Sequence, residues 1–363
     1  MADAATTEYQ LSTEPKLKRF VAAALEKAGV AREQAEVVAD VLVAADLRGI
    51  ESHGVARLES YYVSPIRSNH IRNNPNYAIV RETETTMLYD ADNGLGQPIS
   101  KIAMQKTLEK AKKHGSAFGA VRGSNHYGIA GYYAMMALEH DMIGISSTNS
   151  AKFAAPTNGR DVVLGTNPLA FAIPAGKEPA FVLDFATTAV PRGKVEVHAR
   201  KGLPLNDGWA VDEHGEMTCD PDAALRGALL PLGGLGSANG GHKGFGLGVL
   251  VDILCGVLAG GAFGPTLPRG YEPRDGAVSH WFGALRVDAF RDVAQFKADM
   301  DRELRYFKDS TRIPGEERVY VAGEIEHEKT LYHREHGVPI HATVWEGLEK
   351  LAKQLEIPFD LAR

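Results

Sequence analysis

The sequence predicts an α/β fold in which a three-layer core of strands and helices is joined by a smaller helical unit. Three observations carry this. From Tyr77 onward, short apolar runs alternate with helical patterns. Two amphipathic helical patterns precede that region, and a third closes the chain. The expected division places residues 1–75 and 335–363 in the helical unit and residues 76–334 in the α/β core.

Taken in order, a mobile tail is expected before about Thr13. The first helix follows from Leu17, Phe20, Val21 and Leu25 on one face, with Thr13 and Pro15 as start signals. The second carries Ala35, Val38, Val41, Leu42 and Ala45, and Gly49 is its stop signal. Ser52 is placed to cap a third helix from about His53 to Tyr62, ended by Pro65. In the core, TTMLYDADN reads as a strand, Pro98 to His114 as a helix, and SAFGAV as a strand entering the loop RGSNHYG. A helix from about Ile129 to His140 leads to the strands MIGISSTN, PLAFAIP and PAFVLDFAT. The segment from Ala199 to Leu225 is loop-rich, and a glycine-dense stretch from Leu232 opens a buried helix running to about Leu258. WFGALRVDAF reads as one more strand, and Val344, Leu348 and Leu351 mark the closing helix.

With 363 residues the chain has ample length to bury a core. A net charge of −6 supplies no general attraction to nucleic acid or to an anionic membrane. Cys219 and Cys255 alone make neither a disulfide framework nor a thiolate zinc site, which fits a reducing compartment. The N-terminal stretch lacks the basic and apolar regions of a signal peptide, and the apolar stretch at 249–262 is broken by Asp252 and by glycines. A cytoplasmic location is expected, with no membrane or nucleic-acid partner. His327, His333, His336 and His341 lie in a charged segment without a convincing ligand set, so no metal is expected.

Four motifs have the makings of a site. In the first, a helix starting at His53 would put His53, Arg57 and Tyr61 on one face, four residues apart, beside an anion-friendly terminus. That combination offers a proton-transfer group and a cation for a carboxylate. The alternative is an ordinary capped, solvated helix start, and spacing alone leans that way. In the second, GSNHYG at residues 123–128 is a strand-to-helix turn, where α/β folds bind ligands, or else a glycine-rich turn with a surface histidine. In the third, VLGTNP and LDFATTAVPRGKVE gather Thr166, Asp184, Thr188, Arg192 and Lys194 near strand ends. Asp184 falls late in an apolar run, where a carboxylate needs a bonding partner: either a loop it caps or a ligand hydroxyl. The fourth is the glycine-dense loop at 232–248, which lacks both the Walker A pattern and the G-x-G-x-x-G dinucleotide fingerprint.

In chain order, SHGVARL, SNHYGIAGYYA, GTNPLAF, LDFATT, RGKVE, PLGG, GHKGFGL and AGEIE resemble the malate/L-lactate dehydrogenase family. This group also includes L-sulfolactate dehydrogenases and is unrelated to the Rossmann-type lactate and malate dehydrogenases. The resemblance runs from about Leu17 to Leu355 and reverses the leaning on His53. It implies a non-Rossmann nucleotide-binding fold, a homodimer with its site near the subunit interface, NAD or alternatively NADP as cofactor, and a small 2-hydroxy or 2-oxo acid substrate. His53 is then the proton donor and acceptor with Ser52 supporting it, and Arg57, Thr166 and Arg192 contact substrate. His126, Tyr127, Gly128, Ile129, Ala130, Asp184, Phe185, Ala186, Leu232, Gly233 and Glu324 fall in cofactor-binding segments. Relatives extend the substrate range to ureidoglycolate, sugar-derived keto acids and cyclic imino acids.

Two positions depart from the family pattern. Lys194 stands where some relatives carry an acid that assists the histidine, and Ala322-Gly323-Glu324 replaces a frequent Pro-Gly-Glu. Two other classes remain as alternatives. A Ser-His hydrolase on Ser52 is disfavoured, because adjacent residues at a helix start rarely align hydroxyl with imidazole and no G-x-S-x-G elbow occurs. A non-catalytic metabolite-binding protein would bind NADH without turnover.

Overall fold

The computed structural model describes residues 8–269 and 276–363. Its elements in chain order begin with strand β1 (Tyr9–Ser12) and helices α1 (Glu14–Lys27), α2 (Arg32–Leu47) and α3 (Ser64–Arg67). Strands β2 (Ala78–Glu82) and β3 (Thr86–Asp90), helix α4 (Gly96–His114), strand β4 (Ser116–Ser124) and helix α5 (Ala130–Met135) follow. Then come β5 (Met142–Thr148), β6 (Leu169–Ile173), β7 (Phe181–Phe185), α6 (Arg192–Lys201), β8 (Ala210–Val211), α7 (Pro221–Arg226) and β9 (Ala228–Leu229). The chain ends with α8 (Gly241–Asp252), β10 (Val278–Arg286), α9 (Val293–Lys308), α10 (Glu324–His336), β11 (Val338–His341) and α11 (Ala342–Leu355).

A seven-stranded mixed sheet in the order β2-β3-β4-β10-β5-β6-β7 forms the centre. Its β3–β4 pair is parallel, while every other neighbour pair is antiparallel. β10 crosses back between β4 and β5, so Phe282 and Ala284 lie beside Ala117 and Val121 on the face packed by Ile99, Ala103 and Ala134 of α4 and α5. The chain is therefore an α/β fold with a mixed central sheet and flanking helices. α1, α2 and α11 share a separate apolar cluster, in which Leu17, Leu25, Leu42, Leu348 and Leu351 are almost fully buried.

Four sequence expectations change. The tail before Thr13 holds β1, which pairs antiparallel with β11 and ties the two chain ends together; residues 1–7 lie outside the described residues. No α-helix starts at His53: a 3₁₀ turn at Val55–Arg57 and a π turn at Leu58–Val63 run into α3, and Pro65 sits in the first turn of α3 instead of ending a helix. The loop-rich region contains α7, and α6 precedes it where RGKVE was read as a strand end. The helix toward Leu258 is not buried all round. Only one side packs, leaving Leu250, Ile253 and Val257 about half exposed and Leu258 63% exposed. α9 and α10 were not foreseen, because their faces are largely charged.

Candidate active site

α2 ends on Leu47, and the chain turns back over it, so the segment from Ser52 to Arg57 is shaped by a buried carboxylate. Asp46 Oδ2 accepts the Val55 amide at 2.8 Å. A Cβ on Gly54 would lie 1.8 Å from Asp46 Oδ1, so only glycine fits there. Burial pushes the Asp46 carboxyl up to about 8, against the Val55 amide, which lowers it. Neither Asp46 nor Gly54 was singled out from sequence; the available signal was an acid inside the apolar run VLVAADL.

This loop delivers His53, Arg57 and Tyr61 to a cavity of about 160 Å³. The opposite walls bring His126 to Gly128 from the turn after β4, Thr148 to Ala151 from the end of β5, Thr166, and Pro191 to Gly193 at the start of α6. Seven of the sequence-derived residues, His53, Arg57, His126, Tyr127, Gly128, Thr166 and Arg192, thus meet in one place. Ser52 caps no helix; its Oγ lies 2.8 Å from His53 Nδ1. Hydroxyl and imidazole do align here, contrary to expectation, but His53 lines the cavity and Ser52 does not.

The two histidines differ in their fixed protons. The Gly128 amide points at His126 Nδ1 at 3.3 Å, so that nitrogen accepts, and the Tyr62 hydroxyl 2.6 Å away must donate to it. Burial keeps Tyr62 protonated. The neutral His126 therefore carries its proton on Nε2. Ser52 Oγ, by contrast, is free to act as donor or acceptor toward His53 Nδ1, so either tautomer of His53 is accommodated. The rings lie 5.7 Å apart, nearly parallel. Burial pushes His53 down to about 4, with Arg57 lowering it further and Glu196 opposing. Burial, His53 and Arg57 hold His126 well below its ordinary value.

The cations converge from two elements. Arg57 donates to the Ser52 carbonyl at 2.7 Å and to Glu196 Oε2 at 2.8 Å, and its guanidinium lies over the Tyr61 ring at 4.8 Å. Arg192, the first residue of α6, lies 3.3 Å from Glu196 Oε1 and over Phe153 at 4.6 Å. A Cβ on Gly193 would sit 2.8 Å from Arg57 Nη2, so glycine lets the start of α6 close on Arg57. The helix terminus beside the cavity belongs to α6, not to the 53–62 segment. Its partial positive charge adds to the two guanidiniums. Lys194 stands over Trp209 at 5.0 Å and does not line this cavity.

From the cavity wall Tyr127 reaches into the core, and the remaining sequence-derived residues spread outward. Tyr127 stacks on His280 at 4.4 Å inside the core, and Ile129 and Ala130 are buried. Asp184 accepts the Gly131 amide at 2.7 Å, tying the start of α5 to β7. Asp184 also lines a second cavity of about 300 Å³ with Arg48, Val321 to Gly323 and Glu326. Burial raises Asp184 to about 6, partly offset by that amide and by Arg48. Glu324 is buried and turned away from this cavity onto Lys308 at 3.2 Å and Arg318 at 2.5 Å. Phe185 and Ala186 line neither cavity, while Leu232 and Gly233 line a third depression beside Trp209. Among the described residues no group of three or more His, Cys, Asp or Glu is arranged to hold a metal ion.

The malate/L-lactate dehydrogenase family model matches residues 13–349. The chain belongs to that family. It is 44% identical over 343 residues to a malate dehydrogenase of Pyrococcus abyssi, covering 94% of each. An L-sulfolactate dehydrogenase of Methanocaldococcus jannaschii is 37% identical, covering 93% of this chain and 95% of the relative. The crystal structure of malate dehydrogenase from Entamoeba histolytica superposes with a TM-score of 0.93 at 33% identity, covering 98% of this chain and all of that one. Membership in the malate/L-lactate dehydrogenase family identifies the chain as an oxidoreductase. Among the described residues, no helix is long and apolar enough to cross a membrane.

Proposed function

We propose that the chain catalyses reversible hydride transfer between a nicotinamide cofactor and C2 of a small 2-hydroxy or 2-oxo acid, with malate/oxaloacetate or lactate/pyruvate as the pair. The single observation that carries this reading is the convergence of His53, His126, Arg57 and Arg192 on one cavity. A cofactor-binding role for the 126–130, 184–186, 232–233 and 322–326 segments is part of the proposal. The second cavity fits a nucleotide in its donor set, with carboxylates suited to ribose hydroxyls and Arg48 suited to phosphate. Glu326 is better placed for that role than Glu324. The mixed sheet, with its single parallel pair, supports a non-Rossmann mode of binding. NAD is the expected cofactor and NADP the alternative; when bound, it supplies the hydride acceptor or donor.

The protein's own groups do the rest. Arg57 and Arg192 hold the substrate carboxylate, a charge-assisted contact strengthened by the start of α6. His53 takes the hydroxyl proton during oxidation and returns it during reduction, and Ser52 follows its tautomer. His126 donates its fixed Nε2 proton to the C2 oxygen and does not act as the base. We further propose that residues 1–75 with 335–363 form the smaller unit that brings His53 to the α/β core. The exposed stripe of Leu250, Ile253, Val257 and Leu258 supports a homodimer, since a second copy would cover it.

The test is loss of NADH or NADPH absorbance with oxaloacetate and with pyruvate. His53→Ala is expected to lower kcat by about a hundredfold to ten-thousandfold. Near-normal turnover in that variant would remove His53 from the proton path.

A further inference from the structure

Arg57 and Arg192 reach the cavity from parts of the chain that are far apart, yet a single carboxylate touches both. Glu196 lies one turn into α6. It places Oε2 2.8 Å from Arg57 Nη2 and Oε1 3.3 Å from Arg192 Nε. Its side chain is 24% exposed, against 15% for Arg57 and 21% for Arg192, so the bridge is largely buried, and its two guanidiniums line the cavity while Glu196 does not. Arg57 is also fixed by the Ser52 carbonyl and by the face of Tyr61, and Arg192 by the face of Phe153. The two guanidiniums are therefore held at fixed positions, one carried by the loop that bears His53 and the other by α6.

We propose that Glu196 is a positioning residue: the shared counter-ion that sets Arg57 and Arg192 as a preformed clamp for the substrate carboxylate and locks the His53 loop to α6. This rests on the hydride-transfer reading above. Like-charged guanidiniums repel each other and would separate without the bridge, so substrate would have to reassemble the clamp on binding. Glu196 also opposes the effect of Arg57 on His53, so the same carboxylate helps set the pH at which the histidine titrates. The groups facing His53 are Ser52 and Arg57 from its own loop, His126 from the turn after β4, and Glu196 from α6.

The experiment compares wild type, Glu196→Gln and Glu196→Asp in steady-state reduction of oxaloacetate and pyruvate, in calorimetric binding of oxalate, and in thermal unfolding. Glutamine keeps the size but cannot bridge two cations by charge, whereas aspartate keeps the charge on a shorter arm. Glu196→Gln is expected to raise KM by about tenfold or more with kcat changed less than about threefold, and to weaken oxalate binding in parallel. The alkaline fall of kcat/KM is expected to move to lower pH by about half a unit, because the carboxylate that favours the imidazolium is gone. Glu196→Asp should recover part of the KM loss. An unchanged KM and pH profile in Glu196→Gln would overturn the role of Glu196 while leaving the hydride-transfer reading intact. A lower melting temperature with neither change would show a purely structural residue and also overturn it. If Glu196→Gln does not fold, Glu196→Ala, which also removes the charge, takes its place, and a wild-type KM and pH profile in that variant overturns the role in the same way. Wild type without turnover of any 2-oxo acid would overturn both the reading and the role.

Discussion

His126 Nδ1 receives the Tyr62 hydroxyl and the Gly128 amide, whereas His53 Nδ1 meets the Ser52 hydroxyl, which donates or accepts. In the proposed mechanism the two imidazoles in one cavity thereby divide the work of a proton carrier and a fixed hydrogen-bond donor. Tyr62 decides the matter for His126. Its side chain is fully buried, so removing the hydroxyl changes the hydrogen bond and little else in the packing. Tyr62→Phe is expected to lower kcat by about threefold to tenfold, the equivalent of one net hydrogen bond, with KM for the 2-oxo acid nearly unchanged. Nitrogen NMR of the imidazoles would report whether the tautomer of His126 becomes mixed. A variant with wild-type kcat and one clean tautomer would show that the Gly128 amide suffices. Sequence pointed to both histidines, but not to the tyrosine that gives His126 its different hydrogen-bond partner. Tyr62 and His126 are 64 residues apart, and nothing in a hydrophobic pattern distinguishes a core tyrosine that donates from one that only packs.

At the level of elements, most central strands and the helices α1, α2, α4 and α11 were legible because their apolar residues repeat with periods of two and 3.6, whereas the largely charged α9 and α10 were not. The site segments were not, for the opposite reason. The 53–62 stretch follows a helical spacing, yet Asp46 holds Val55, and the backbone takes 3₁₀ and π turns in place of a regular helix. His53, Arg57 and Tyr61 do reach one cavity, but from 3₁₀ and π turns and not from the α-helix that their spacing suggests. α6 shows the converse. RGKVE looks like a polar strand end, and its helix carries two of its ten residues buried, too few for a clear stripe. Had the helix been recognised, Arg192 and Glu196 at i and i+4 would have stood out as a pair. Gly193 tests how closely this element must approach the His53 loop. In an ordinary helix, Gly→Ala stabilises by up to about 1 kcal/mol. Here the added Cβ would lie 2.8 Å from Arg57 Nη2 and 2.9 Å from Ser52 Cβ. Gly193→Ala should therefore lower kcat/KM by about tenfold to a hundredfold with little net change in stability, measured by steady-state kinetics and urea unfolding. Unchanged kcat/KM would mean that α6 shifts without cost to the clamp.

For the whole molecule, burial of titratable groups sets the pH at which the fold is most stable. His53 is pushed down to about 4 and His280 to about 3, both by burial, and His126 is lowered by burial and neighbouring cations and histidines. In the unfolded chain these histidines bind protons below about pH 6.5. Their contribution is therefore present above that pH and is lost as pH falls toward the folded values. Asp46 acts in the other direction. Its carboxyl, raised to about 8, stays protonated in the fold after the unfolded chain has released its proton near pH 4, so stability is lost as pH rises from there to about 8. Asp184, raised to about 6, adds a smaller effect of the same sign at lower pH. Together the opposing slopes place the maximum stability near neutral pH, with the histidines steepening the acid side and Asp46 the alkaline side. Asp46→Asn separates them. Asparagine still offers an oxygen to the Val55 amide, but it cannot ionise. The variant is expected to match wild type near pH 4 and to exceed it increasingly up to pH 9, where wild type must bury a charged carboxylate. Chemical unfolding across that range measures the difference. If the gap between the two proteins stays constant from pH 5 to pH 9, Asp46 is already ionised in the fold at pH 5, and the alkaline slope arises elsewhere.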